Sequence, residues 1–326
     1  MSNAVSTPAV LILGGGADQA LLVKEFKRRG WRTIVMDYYD NPPARQFADV
    51  HCHVSCYDRD AALECARTHN VQRVATICTD QPLLVAAYVS EQCGLYSPLT
   101  YADAMRLTNK QHMKEVLTAH GIPTPRHVAF SAADHARVDE AQLAYPLVVK
   151  PADSSGSRGV SVITKPSELA GAVTAAAAYS RCGALIAEEF VDGYEVSVDA
   201  VVTHGVAQVV MISDNHKVSV PGKTALAARS QHPSRLPAAL RPRVAGIIQQ
   251  LAAAFALDNV PLFVQLLVRD SDVYVMELSA RLAGGSKPLF IQSVTGVDVV
   301  KMYVDLLLRE PVQVQALLPA DAVVVH

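Results

Sequence analysis

The apolar run AVLIL, Ala9 to Leu13, stops at three successive glycines and is followed by the amphipathic stretch QALLVKEFKRRG. A buried strand turning sharply into a helix constrains the chain to a layered α/β start. The pattern then repeats. RTIVMDY reads as a second strand, and RDAALECARTHN as a helix with Gly30 closing the one before it. RVATICTD is a further strand and PLLVAAYVSEQCG a further helix. This strand–helix alternation over the first hundred residues predicts a parallel sheet.

Such a start invites a dinucleotide reading, with Asp37 at about the right remove to hold a ribose. The fingerprint laid on Gly14 and Gly16 requires a small residue at position 19, where the chain has Gln19. The glycines are therefore read as a tight strand-to-helix turn. HCHVSC, His51 to Cys56, holds metal-ligand residue types, but its alternation is equally that of a short strand. No second ligand pair follows at zinc-site spacing.

At 326 residues, half of them apolar, the chain can bury the cores of two or three domains. A net charge of −2 argues against a general nucleic-acid binder. No stretch reaches the roughly 18 uninterrupted apolar residues that span a bilayer, and the N-terminus has no basic region ahead of its apolar run. The six cysteines lack a disulfide-framework spacing, which points to thiols in a reducing cytoplasm.

Beyond residue 100 three stretches carry chemistry. In LTNKQHMKEVLTAHGIPTP, Asn109 is placed to cap a helix that Gly121 closes, which puts Lys110 in the first turn. The helix dipole disfavours a cation there, so Lys110 gains meaning if an anion sits beside it. KPADSSGSRGVS, Lys150 to Ser161, joins two strand-like runs and is longer than an ordinary hairpin loop. Its glycines, Gly156 and Gly159, and its serines, Ser154 and Ser155 among them, suit an anion cradle or an exposed flexible turn. In VYVMELSARLAGG, Glu277, Ser279 and Arg281 recur at spacing two and share one strand face. A three-residue turn at Asp270–Asp272 would set Gln265 opposite Glu277; a two-residue turn would place it on the other face. That face is an exposed sheet surface or an oxygen-ligand site for Mg²⁺ with Arg281 beside it.

These motifs, in this order, resemble the ATP-grasp carboxylate–amine ligases over essentially the whole chain. MELSARLAGGSKP, followed by TGVD, looks most like amino-acid and dipeptide ligases and relatives of carbamoyl-phosphate synthase. The resemblance implies an α/β and α+β fold. A Rossmann-like domain over 1–107 would precede a small ATP-grasp subdomain over 108–187 with a glycine-rich flap. A large subdomain over 188–326 would carry the metal and substrate site, with ATP held between antiparallel sheets. It further implies ATP with Mg²⁺, for which Mn²⁺ can substitute, as cofactors, and a small carboxylate and an amine as substrates. A homodimer is left open.

By the same resemblance Lys110 and Lys150 meet the phosphates, and the loop after Lys150 closes over them as the flap. Glu188 to Val191 form the hinge that reads adenine, chiefly around Glu189 and Val191, and Glu195 holds the ribose. Glu277 bridges magnesium, and Arg281 stands at the acyl phosphate. TALAARSQHPSRLP would line the acceptor region, with Arg229, His232 and Lys287 as carboxylate contacts and His216 and Lys217 reaching the phosphates.

Two positions depart from the family: Gln265 stands where a second glutamate is usual, and Ser279 where asparagine is. Both still offer oxygen to a metal but neutralise less charge. The implied activity is acyl-phosphate formation from a small acid, an amino acid foremost, followed by attack of an amine. Activation of bicarbonate on the same fold, or an ATP-binding protein without catalysis, stand as alternatives. The chain stops at DAVVVH, which reads as the start or middle of a strand, so either further residues or the loss of closing elements is expected.

Overall fold

The computed structural model describes residues 7–140, 142–218, 226–312 and 324–325. Strand β1 (Ala9–Leu13) leads into helix α1 (Ala17–Arg28), then β2 (Arg32–Asp37), β3 (Val50–His53), α2 (Arg59–Thr68), β4 (Arg73–Ala75) and α3 (Gln81–Gln92). The four strands pair in parallel in the order β3-β2-β1-β4. All five residues of β1 are buried, as a central strand covered on both faces requires. The glycine turn is held from within: Gly15 N–H donates to Asp37 Oδ2 at 2.7 Å, and Gln19 Nε2 to the Ile77 carbonyl at 2.6 Å. A Cβ on Gly15 would stand 2.6 Å from Pro42 Cβ. Asp37 thus organises its own turn, in keeping with the reading of these glycines as a structural corner.

Helices α4 (Tyr101–Thr108) and α5 (Lys110–Ala119) follow. Thr100 and Asp103 form a capping box on α4, and the Asn109 side chain accepts from Gln111 N–H at 2.9 Å to cap α5. Next come β5 (His127–Ser131), α6 (Ala136–Glu140), β6 (Leu147–Pro151), β7 (Ser161–Ile163), α7 (Leu169–Ala177) and β8 (Ala184–Glu189). These four strands make an antiparallel sheet, β5-β8-β6-β7, with its own core around Val149, Ala172 and Leu185.

The last part holds β9 (Tyr194–Thr203), β10 (Val206–Val218), β11 (Leu226–His232), α8 (Arg241–Ala254), β12 (Val260–Arg269), β13 (Asp272–Ser279), α9 (Lys287–Thr295), α10 (Val299–Leu308) and β14 (Val324–Val325). Its six strands order as β13-β12-β9-β10-β11-β14. His204 and Gly205, at φ +52° and +71°, make the tight β9–β10 turn.

Two cores cross the sequence boundaries. Val10 and Ile12 of the parallel sheet pack with Phe290 and Met302 of α9 and α10. Met113 and Leu117 of α5, expected with the small part of the chain, instead join the core of the six-stranded sheet beside Val198 and Val264. The hydrophobic face of α5 meets that sheet because its chain continues from α4, whose Leu107 is in the same core.

The stretch from Asp214 to Pro237 is polar and lacks a clear apolar period, yet strands occupy Asp214–Val218 and Leu226–His232 within it. Strand β10 runs on to Val218 and pairs with β11, Asn215 facing Ser230 and His216 facing Arg229. The polar side chains of β10 have polar partners, Asn215 with Glu195 and Asp214 with Ser234 and Arg235 N–H, which an apolar period does not signal. Residues 219–225, including Thr224 and Ala225 of the supposed acceptor segment, lie outside the described residues.

Candidate active site

A cleft of about 560 Å³ opens between the two antiparallel sheets. Its walls bring together Lys110, Lys150, the flap residues Ser154 to Arg158, Glu188 to Val191, Glu195, His216, Lys217, Gln265 and Glu277. A second, much smaller recess of about 20 Å³ adjoins it, sharing Lys110, Ser154, Ser155 and Glu277, and contains Asp80, Ser279 and Arg281.

The Gln265–Glu277 pairing arises by a route that the sequence did not reveal. The β12–β13 turn has two residues, with Asp270 at φ +55° and Arg269 facing Asp272. By alternation this would place Gln265 opposite Met276, on the wrong face. A register shift after Leu266 restores the pairing: Leu266 faces Val275, and Gln265 faces Glu277. Met276 is the extra residue of a β-bulge.

Burial and charge decide the protonation states around the cleft. Burial pushes the Glu188 carboxyl up, but Lys114 and Lys150 outweigh it and bring it down to about 2. Lys114 Nζ lies 2.9 Å from Glu188 Oε2, and Lys150 Nζ pairs with Glu188 Oε1. For Lys114 burial wins over Glu188, with Lys150 adding to it, and its ammonium is lowered to about 8. Lys110 goes the other way. Burial lowers it, yet Glu277, 3.2 Å from its Nζ, and Asp80 raise it above its ordinary value. Lys110 Nζ also donates to the Ser154 carbonyl at 2.8 Å, tying the base of the flap to α5.

At the flap's foot, Asp153 accepts from the backbone N–H groups of Arg181 and Cys182. Gly159, at φ +73°, has a further constraint, since a Cβ there would stand 3.0 Å from the Tyr179 ring. Glu195 is clasped by Asn215 Nδ2 and Gln265 Nε2, each 2.9 Å from Oε1, and by Lys217 Nζ 2.5 Å from Oε2. In the recess Arg281 Nε and Nη2 each lie 2.8 Å from Asp80 Oδ1. Burial raises the Asp80 carboxyl, but Arg281 first and then Lys110 hold it below the usual range.

Three of the residues assigned to the acceptor are not in the cleft. His232 is buried, with Nδ1 2.8 Å from the Ile212 carbonyl, so it fastens β11 to β10. Lys287 is buried behind the sheet, donating to Ser197 Oγ at 3.0 Å and Ser213 Oγ at 2.5 Å, with Asp199 Oδ2 at 3.8 Å. Burial lowers its ammonium against the pull of Asp199. Arg229 is exposed and outside the cleft lining.

Lys114, Asp80 and Asn215 were passed over in the sequence. Lys114 is four residues after Lys110 and so on the same helix face, and Asp80 follows the carboxyl end of a parallel strand, the usual edge for ligands. Those two signals were available; the grip of Asn215 on Glu195 depends on β9–β10 register.

The ATP-grasp domain family matches residues 143–288. A formate-dependent phosphoribosylglycinamide formyltransferase of Cupriavidus taiwanensis is 30% identical over 292 residues, covering 85% of this chain and 70% of that protein. The chain belongs to the ATP-grasp family. The enzyme of the same description from Synechococcus sp. is 31% identical over 185 residues, 56% of the ATP-grasp chain and 47% of its own length. The chain thus spans about half the length of several relatives that it matches. The solved structure of an L-amino acid ligase from Bacillus licheniformis shares the fold, with a TM-score of 0.77 and 21% identity over 92% of this chain and 74% of that one. The family's cofactors are ATP and Mg²⁺. The donor set fits them: Glu277, Gln265 and Ser279 offer only oxygen to a hard cation, and Lys110 and Lys150 offer ammonium groups to phosphate.

Proposed function

We propose that the chain is an ADP-forming ligase that activates a small carboxylate as an acyl phosphate and transfers the acyl group to an amine. The observation that carries this reading is the convergence of Lys110, Lys150, the flap and Glu277 on one cleft, with the Arg281–Asp80 pair at its end. A carboxylate oxygen attacks the γ-phosphorus of ATP and ADP leaves. The amine then attacks the acyl carbon and inorganic phosphate departs. Lys110 and Lys150 orient the phosphates and Arg281 offsets the charge of the transferring group, which is where phosphoryl transfer needs help. Mg²⁺ held at Glu277, Gln265 and Ser279 supplies further neutralisation. Closure of residues 154–159 keeps water from the acyl phosphate. The hinge role of Glu189 and Val191 and the ribose role of Glu195 belong to the same proposal, as does the three-part division of the chain.

The acid is better assigned to formate than to an amino acid. The recess at Arg281 has about 20 Å³, room for a group of very few atoms, and the Cupriavidus relative is described as formate-dependent. The test is ADP release from ATP and Mg²⁺ with formate, bicarbonate and a panel of amino acids, each with and without amine acceptors. Turnover that needs formate plus an amine supports the reading. Turnover with bicarbonate alone moves it to carboxylation. Absence of turnover with every acid, while ATP still raises Tm, overturns the ligase in favour of a nucleotide-binding protein.

A further inference from the structure

The tract HCHVSC, set aside in the sequence as a strand, acquires a second half in three dimensions. Cys52 on β3 points at Cys65 on α2, with their Sγ atoms 2.7 Å apart. His69, one helical turn beyond Cys65, brings Nε2 to 3.8 Å from the Cys52 sulfur. We propose that Cys52 and Cys65 are an oxidant-responsive thiol pair that closes to a reversible disulfide, with Cys52 as the attacking sulfur.

Three observations carry this. The sulfurs stand closer than a shared zinc ion would set them: two thiolates at about 2.3 Å from a tetrahedral metal lie about 3.8 Å apart. A disulfide, at about 2.05 Å, is the nearer state. Access divides the pair, Cys52 being half-buried and Cys65 only 8% exposed, so a small oxidant meets Cys52 first. The Cys52 thiol is also the more acidic, drawn down by its hydrogen bond with Cys65 and then by His69, while Cys65 is pushed up.

With a hydroperoxide as oxidant the chemistry balances. The Cys52 thiolate attacks the terminal oxygen, the O–O bond breaks, and an alcohol or water leaves once the alkoxide or hydroxide takes a proton. The resulting sulfenic acid is attacked by Cys65, forming S–S and releasing water. Two electrons pass from the two sulfurs to the peroxide. None of the three residues lines the cleft, so this inference does not depend on the ligase reading.

The experiment treats the full chain with hydrogen peroxide, blocks remaining thiols, and reads intact mass and a non-reducing peptide map. The expected product has lost two hydrogens, keeps four of its six cysteines open to alkylation, links the Cys52 and Cys65 peptides, and reverts with dithiothreitol. C52S and C65S each abolish the link, and H69Q, which retains both sulfurs, slows its formation. A link through Cys56, Cys78, Cys93 or Cys182, or a Cys52 sulfinic acid with Cys65 still reduced, overturns the proposal. So does one equivalent of zinc retained through these residues with peroxide-resistant thiols. Should either serine variant fail to fold, the wild-type map and the H69Q rate decide alone.

Discussion

Lys114 Nζ and Glu188 Oε2 form an ion pair of 2.9 Å, with both side chains almost wholly removed from solvent. Because Glu188 holds Lys150 on its other oxygen, one carboxylate fixes two ammonium groups, that of Lys150 at the cleft wall and that of Lys114 buried behind it. Charges so placed are costly to separate: removing one partner of a buried pair leaves the other uncompensated, at about 3–5 kcal/mol.

Glu188→Gln is therefore expected to lose about 3–5 kcal/mol at neutral pH. The sign with pH follows from the carboxyl's fall from 4.5 to about 2 on folding. Its stabilisation is fully present above the unfolded value and is lost as pH falls towards the folded one. The gap between wild type and variant in urea melts should close between pH 4.5 and about 2. Lys114 has a slope of the same sign in a higher window. Its folded value, about 8, lies below the ordinary 10.5, so the unfolded chain binds more protons between them. Wild type should gain stability relative to Lys114→Met as pH rises through that window. A flat difference curve would mean that Lys114 is charged and paired throughout.

Lys150→Ala separates phosphate binding from folding. Glu188 keeps Lys114 after the change, so the stability loss should stay near 1–3 kcal/mol. Turnover should drop by about 100-fold or more if the ammonium meets transferring phosphate. Melting with and without ATP checks it, since the rise in Tm given by ATP should shrink in the variant. Equal loss of fold and activity would make Lys150 a structural residue.

Gln265→Glu restores the second carboxylate expected from the family. Gln265 faces Glu277 across the ladder and donates to Glu195 at 2.9 Å, so a glutamate there meets two like charges. The metal-free variant should be about 1 kcal/mol or more less stable. Mg²⁺ should recover that loss, and half-saturation should need less of it than in the wild type. A magnesium titration followed by Tm reads both effects.

The sequence was most legible where one local rule acted alone. Fully buried runs such as Ala9–Leu13 declared the parallel sheet, and Asn109 declared the start of α5 with Lys110 in its first turn. It was least legible where geometry came from a partner strand. In a straight ladder only a three-residue turn would set Gln265 opposite Glu277, yet the pair rests on a two-residue turn corrected by the Met276 bulge. At Asp214–Val218 polar residues without an apolar period form a strand. Lys287 and His232, expected as carboxylate contacts of the acceptor, are buried with partners of their own, which hydrophobic pattern cannot foresee.

Arg281→Lys tests the recess. Arg281 meets Asp80 through two nitrogens at once, a fork that a lysine cannot reproduce although it retains the charge. Stability should change little, because the lysine ammonium still neutralises Asp80. The effect should fall on kcat, by about 10- to 100-fold, if the guanidinium acts on the transferring phosphoryl group. A rise in KM for the acid at unchanged kcat would instead make Arg281 a binding residue for the ground-state carboxylate. Arg281→Met supplies the contrast, since it leaves the partly exposed Asp80 carboxylate facing Lys110 alone and should cost stability, by less than the about 3–5 kcal/mol of a fully buried pair. It should also raise the Asp80 carboxyl, whose largest opposing charge is Arg281. Relative to wild type that variant should lose stability as pH rises through the carboxylate range, whereas Arg281→Lys should follow the wild-type curve.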